Sequence, residues 1–437
     1  MSVAIGYLWR KIRTPMPRAK HQRHPLRLCG LTLIVLALSA EAKPNRELDL
    51  GLAPSSIISY VKRVLDAHPR VQAARASVTA SEARTRASGK PLYNPELDAE
   101  FEDAEFRTRS IGISQTIDLG NKRAARRTVA IAEQQAAREA LALVRQQVAA
   151  ELLAAAGNLN VAADLERIAS ERKKLMARFR QTANDRRAAG DLNQVEVQLA
   201  ELAYAESALL YAQSQAERIS AQQDLERVVG IALPSPPALP SEFARMTISE
   251  SSIDLILNTL PSVRIAQAQI AASRATLALR KRERRPDPTI GLFAGREGDD
   301  DLVGLRFSIP LPVRNRFRAE VDAATADLNA VTLSVDDNYR QLRAELVAAA
   351  KRYEISRAAW QEWQAVGAGS LKRQFQVLEQ LWHAGELNTS MYLLQLEQAL
   401  DTQMAGVEQR GTVWNDWIAW LAVSGRVDPW IGFSVTR

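Results

Sequence analysis

Four carboxylates fall at every second position of one short segment: Glu96, Asp98, Glu100 and Glu102, with Leu97, Ala99 and Phe101 between them. A strand sends successive side chains to opposite faces, so this spacing gathers the acids on one face and the apolar groups on the other. Such a wall either draws cations electrostatically or is simply a hydrated face without preference. Two short turns, Gly190-Asp191-Leu192 and Gly385-Glu386-Leu387, carry a different chemistry. A glycine in a tight turn exposes backbone and a neighbouring leucine offers an apolar anchor, which suits a protein contact. The plainer reading is that glycine only lets the chain turn. Asp191, Glu196 and Glu386 bring acids to the same turns. They select ions if the turns ring an opening, and are solvated helix ends if they do not.

Little else in the chain offers chemistry. It has no G-x-x-x-x-G-K-[ST], no nucleophile elbow, no H-E-x-x-H and no triad set, so an enzyme is not expected. One Cys among 437 residues excludes a disulfide framework and Cys-based metal clusters. His383 and the methionines Met176, Met246, Met391 and Met404 have no chelating spacing, and no metal or cofactor site is expected. Trp414, Trp417 and Trp420 recur three apart and are expected to pack a helix into a core. Of the net charge of +7, residues 1–42 carry +6 through seven basic residues and Glu41, so the remainder is nearly neutral and predicts no nucleic-acid partner. Those residues run from a basic stretch through the apolar segment Leu28–Ala40 to Ala40-Glu41-Ala42, the order of a cleavable secretory signal. Cys29 lies at the start of the apolar run, not after it, so no lipid anchor is expected.

The elements that must position these residues come in two copies. Pro69-Arg-Val71 aligns with Pro261-Ser-Val263 at a shift of 192, and Asn94-Pro95 with Asp287-Pro288 at 193. Ile111-Gly-Ile113 aligns with Val303-Gly-Leu305 at 192, the two turns at 195, and Gly230 with Gly425 at 195. Ordered anchors of this kind mark an internal repeat. The boundaries read as a signal at 1–42, a first repeat at 43–230, a Pro-rich linker at 231–250, a second repeat at 251–425 and a tail at 426–437. Each repeat reads helix, strand pair, long helix, turn, helix. The first helix is expected from Ser55 or Ser56, as N-caps, to about Gly89. The strand pairs are expected at 95–119 and 288–312, the first long helix at 121–186, and the returning helices at 193–229 and 388–424. Gly157 is the weak point of the long helix.

At about 1.5 Å per residue the long helix spans roughly 100 Å, and the returning helix only about half of that. The long helix must therefore run the length of a rod, with two shorter helices stacked end to end beside it and the linker at mid-height. The strands sit together at one end and are near the length that crosses a bilayer. Four strands cannot close a barrel, and bare edges are not tolerated in lipid. Either they form a soluble sheet or several chains share one barrel; the signal and the alternation favour the second.

In this set of features the chain resembles the outer-membrane efflux family typified by TolC, over about residues 50–427. The residues that carry the resemblance are Arg186-Arg-Ala-Ala-Gly190-Asp-Leu192 and Trp382-His-Ala-Gly385-Glu-Leu387. Asn94-Pro-Glu-Leu97, Ser114-Gln-Thr-Ile-Asp-Leu-Gly-Asn-Lys-Arg123 and Ser308-Ile-Pro-Leu-Pro-Val-Arg-Asn315 are most similar to the CzcC-type branch that serves heavy-metal pumps. The resemblance implies a mainly α fold with a small β part. It implies a homotrimer whose strands close a 12-stranded outer-membrane β-barrel above a periplasmic α-helical barrel. The partners implied are a periplasmic adaptor (membrane fusion) protein, an inner-membrane resistance-nodulation-division (RND) pump and outer-membrane lipid. The adaptor would dock at the tips Gly190, Leu192, Gly385 and Leu387; Asp191, Glu196 and Glu386 would line the aperture; Glu96, Asp98, Glu100 and Glu102 would face the barrel lumen. Heavy-metal efflux is the expected function, with drug efflux, type I secretion or a soluble coiled-coil scaffold as alternatives. The second tip departs from drug channels of this family, having Met391 and Leu394 where those place constricting acids.

Overall fold

The computed structural model describes residues 51–103, 107–230, 235–246, 250–384 and 386–433. The expected signal, the middle of the turn after Asp103, the start of the linker, Gly385 and the last four residues lie outside them.

The first copy contains α1 (Ser55–Ala67), α2 (Pro69–Ser88), β1 (Glu96–Asp103), β2 (Arg107–Thr116), α3 (Lys122–Ala188) and α4 (Gln194–Val229). The second contains α5 (Glu250–Thr259), α6 (Pro261–Glu283), β3 (Thr289–Glu297), β4 (Asp300–Ser308), α7 (Arg318–Glu362), a π-helical turn (Trp363–Gly367), α8 (Ala368–His383) and α9 (Thr389–Val423). A short α10 (Val427–Trp430) occupies the expected tail. With 67 residues, α3 extends about 100 Å.

The expected first helix is two helices. A proline disfavours helical geometry in the residue before it, and His68 is extended (ψ 126°) ahead of Pro69. Pro69 then opens α2, where its missing N–H costs nothing. Leu260-Pro261 repeats this break between α5 and α6. Ser55 and Ser56 lie inside α1, and the residue before it is Pro54, so neither serine is the cap. The strand expected to run to Leu119 stops at Thr116, because Asp118 turns inward. Its carboxylate accepts the backbone N–H groups of Lys122 (2.8 Å) and Arg123 (2.9 Å), closing the start of α3.

The sheet is antiparallel in the order β1-β2-β3-β4, so β2 and β3 join the two copies. The long helices follow at one end of the sheet. Tyr93 donates to Asp287 (2.8 Å), and Lys122 donates to the same carboxylate (2.8 Å) and to the Arg285 carbonyl (2.7 Å), strapping the copies together under the strands. Along the rod, α3 packs against α4 on one stretch and against α2 and α6 on another. The linker crosses between these stretches, where the Asn160 amide donates to the Pro237 carbonyl (3.0 Å).

The rod buries several of its largest side chains here. Trp414, Trp417 and Trp420 are buried with Tyr353, Leu152 and Leu421. The Trp414 indole donates to the Leu153 carbonyl (2.8 Å). Its ring lies where a Cβ on Gly157 would be, 2.2 Å away, so the glycine is a seat for the indole. The connection from β4 to α7 is four residues longer than that from β2 to α3: α7 starts 196 residues after α3, whereas Leu311 follows Leu119 by 192.

Candidate functional site: the sheet wall and the hairpin tips

The register settles which side chains share a face. Leu97, Ile113, Leu292 and Leu305 form one row across all four strands, and Ala99, Ile111, Ala294 and Val303 form the next on the same side. The large groups of this face are solvent-exposed, with Val303 at 79% and Leu305 at 77%. An apolar face of this extent, left uncovered on a sheet, marks a contact with another apolar phase.

Glu96, Asp98, Glu100 and Glu102 stand together on the opposite face. There Asp98 accepts from Ser114 Oγ (2.9 Å) and Glu100 from Ser110 Oγ (3.3 Å). Two more residues of this face fall where strand alternation puts them but were not among the candidate site residues. Phe293 lies flat across it over Gly304, where a Cβ would come within 2.4 Å of the ring. The Arg306 guanidinium sits 5.5 Å from the Phe293 ring centre and 3.7 Å from Glu100. Together with Asp98 and Ser110 they line a groove of about 200 Å³. The wall is acidic with a cation set into it, and one aromatic side chain is laid on glycine. The departure of Phe293 from its strand's apolar face was visible in the alternation; the reach of Arg306 was not.

At the far end of the rod, α3 and α4 form one hairpin and α8 and α9 another. Gly190 adopts φ +86°, the left-handed geometry that ends a helix. The Asp191 N–H then reaches back to the Arg186 carbonyl (2.9 Å), as the Glu386 N–H does to Leu381 (3.0 Å). Asp191 and Glu386 are exposed at the turns. Glu196 is engaged otherwise: its carboxylate accepts the Asn193 N–H (3.1 Å) while the Asn193 side chain accepts the Glu196 N–H (3.0 Å). The second tip keeps only half of this box, Asn388 accepting from Met391 N–H (2.8 Å).

Leu192 and Leu387 do not project as anchors. Both are half-buried, folded against a cluster that contains Phe179, Leu378, Trp382, Tyr392 and Leu396 and unites the two hairpins. Trp382 and Tyr392 stack at 4.8 Å, and Arg186 lies 4.9 Å over Trp382. The apolar groups that do project near the tips are Val195 and Leu202 on α4 and Met391 and Leu394 on α9. Their signal was a helical spacing of seven from Val195 to Leu202, with Leu199 between them.

Above the tips, the buried Arg172 of α3 donates to Asp401 (2.7 Å) and lies 3.9 Å from Glu206. Glu397, beside them, is held above the usual carboxylate range by burial first and by Glu206 and Asp401, while Arg172 pulls it down. This polar tie among α3, α4 and α9 had no signal in the sequence. Among the described residues no cluster of three His, Cys, Asp or Glu gathers in a metal-ligating group.

No family model matches the chain. The cobalt-zinc-cadmium resistance protein CzcC of Cupriavidus metallidurans is 26% identical over 308 residues, 68% of this chain and 72% of that protein. The outer-membrane channel OprN superposes with a TM-score of 0.73 at 18% identity, over 85% of this chain and 90% of that one. CusC superposes with a TM-score of 0.70 at 15% identity, over 85% and 92%. The duplicated hairpins, the four-stranded sheet and these likenesses together give the chain the fold of the TolC-like outer-membrane efflux channels, with a sequence similar to that of a CzcC-type member.

Proposed function

We propose that the chain is the outer-membrane channel of a tripartite RND-type efflux system, and that its cargo is heavy-metal cations. The observation that supports this most is the sheet, which among the described residues is apolar and uncovered on one face, polar on the other, and bare along both edge strands. Lipid tolerates a sheet only when it is closed. Three copies supply twelve strands, within the range of spanning barrels. The apolar rows then meet lipid, and Glu96, Asp98, Glu100 and Glu102 line the water-filled lumen, where their field favours cations. The rods continue the conduit through the periplasm towards an adaptor and an inner-membrane pump, with Gly190, Leu192, Gly385 and Leu387 in the tips that meet the adaptor. Asp191 and Glu386 surround the aperture; Glu196 does so only at the cost of its cap. The likeness to CzcC supports metal as the cargo. The channel itself is passive and catalyses nothing.

Deletion of the gene, followed by growth across Zn, Cd, Co, Ni and Cu salts with antibiotics and detergents in parallel, tests both levels. Selective metal sensitivity is expected, restored by the gene in trans. Sensitivity to organic compounds alone would keep the channel and sink the metal cargo. Recovery of the protein in the soluble periplasm would sink the channel.

A further inference from the structure

The helix ends that meet the base of the sheet carry a dense collar of cations. We propose that this collar is a docking surface for the anionic headgroups of phospholipid in the periplasm-facing leaflet, fixing how deep the sheet sits in the bilayer. The inference rests on the membrane reading of the sheet given above.

Arg123 and Arg126 open α3, Arg284 and Arg285 close α6, and Arg314 and Arg316 lie in the connection from β4 to α7. Two hydrogen bonds put the first two groups at one level. The Lys122 ammonium donates to the Arg285 carbonyl (2.7 Å), and the Arg282 guanidinium to the Asn121 carbonyl (2.7 Å). All six named arginines are exposed. Among the described residues none of the six makes an ion pair, although carboxylates pair with arginines at many places along the rod. The acids at this level are fewer: Asp118 attracts Lys122 and Arg123, Asp287 is held by Lys122 and Glu283 by Arg280, which leaves a net positive surface that an anion from outside the chain would stabilise. The neighbouring surface says what kind. Leu119 (62%), Leu311 (73%) and Val313 (74%) are exposed in the same segments, just after the ends of β2 and β4. A surface that is apolar above and cationic immediately below matches acyl chains above phosphodiesters. Arginine suits the phosphodiester, because its planar fork binds phosphate oxygens in pairs while its stem lies along apolar surface. The connection from β4 is also where the second repeat is longer than the first, so its two arginines have no counterpart between β2 and α3.

The test uses the full chain, purified in detergent, delipidated and titrated with dioleoyl phosphatidylglycerol or dioleoyl phosphatidylcholine. Bound lipid is read by native mass spectrometry. Phosphatidylglycerol should be retained in preference, by about five-fold for each engaged arginine. Replacing all six arginines together by Gln should erase the preference, and replacing them by Lys should keep most of it. On the unmutated chain, 0.5 M salt should weaken it. Equal retention of the two lipids by the unmutated chain, or a preference that survives the Gln variant, would overturn the proposal. Incorporation into phosphatidylcholine nanodiscs is measured beside it. A chain that enters neutral bilayers but shows no headgroup preference refutes the collar alone, and one that enters no bilayer refutes the membrane reading with it.

Discussion

Gly157 and Trp414 show how a residue's type can be set by its partner. Glycine in mid-helix costs about 1 kcal/mol relative to alanine, so on propensity alone Gly157→Ala would stabilise α3. The indole of Trp414 stands where the new methyl group would go and is fixed by its bond to the Leu153 carbonyl. Gly157→Ala is therefore expected to destabilise the rod by about 1–3 kcal/mol, the usual cost of overpacking, measured as a lower Tm. A rise in Tm would show that the indole moves freely. The glycine stood out in the sequence as a flaw in a good helix, and the tryptophans stood out by their spacing. Nothing in the chain paired them, because that pairing exists only once α9 has folded back along α3. The same holds for Arg306 and Phe293. The four acids of β1 were legible, since strand alternation is local. The arginine that tempers them comes from the other copy of the repeat.

At the scale of elements, the two tips differ in one position that matters. Glu196 completes a capping box on Asn193, and the aligned residue of the second tip is Met391, which cannot return the bond. Asn193→Ala is expected to cost the start of α4 about 1 kcal/mol, with faster hydrogen exchange confined to residues 194–197. Glu196→Ala should weaken the same segment by less, and Met391→Ala should leave the start of α9 unchanged. Equal effects of Glu196→Ala and Met391→Ala would mean that the box adds nothing. Elements were legible where one rule acts alone: the alternating strands, the long uninterrupted helix, the glycine turns. They were misread where two rules competed. Helical periodicity runs through His68-Pro69 and Leu260-Pro261, yet the proline fixes its predecessor in an extended shape. The π turn at Trp363 had no local signal; the ring of Trp363 lies against Gly406 of α9, so packing has set it.

At the scale of the molecule, the sheet is unfinished: among the described residues, β1 and β4 each have one side without a partner strand. In the proposed trimer, β1 of one copy pairs with β4 of the next, and closure in lipid is one event with assembly. A charge on the apolar face should stop that event and leave the rod intact. Leu305→Arg places a guanidinium at an exposed, lipid-facing position, at a cost of about 2–4 kcal/mol per copy near the bilayer centre. The expected result is loss of the heat-modifiable oligomer with retained helical circular dichroism. A normal oligomer would place Leu305 away from lipid. The duplication adds a further consequence. A trimer of duplicated chains presents six hairpins around its lower rim, but they alternate between a kind closed by Asn193 and Glu196 and a kind closed by Asn388 alone. A ring of six identical molecules set against that rim would meet two sorts of seat in turn. Such a ring would sort into two sets of three, and a substitution in one hairpin would empty every second seat.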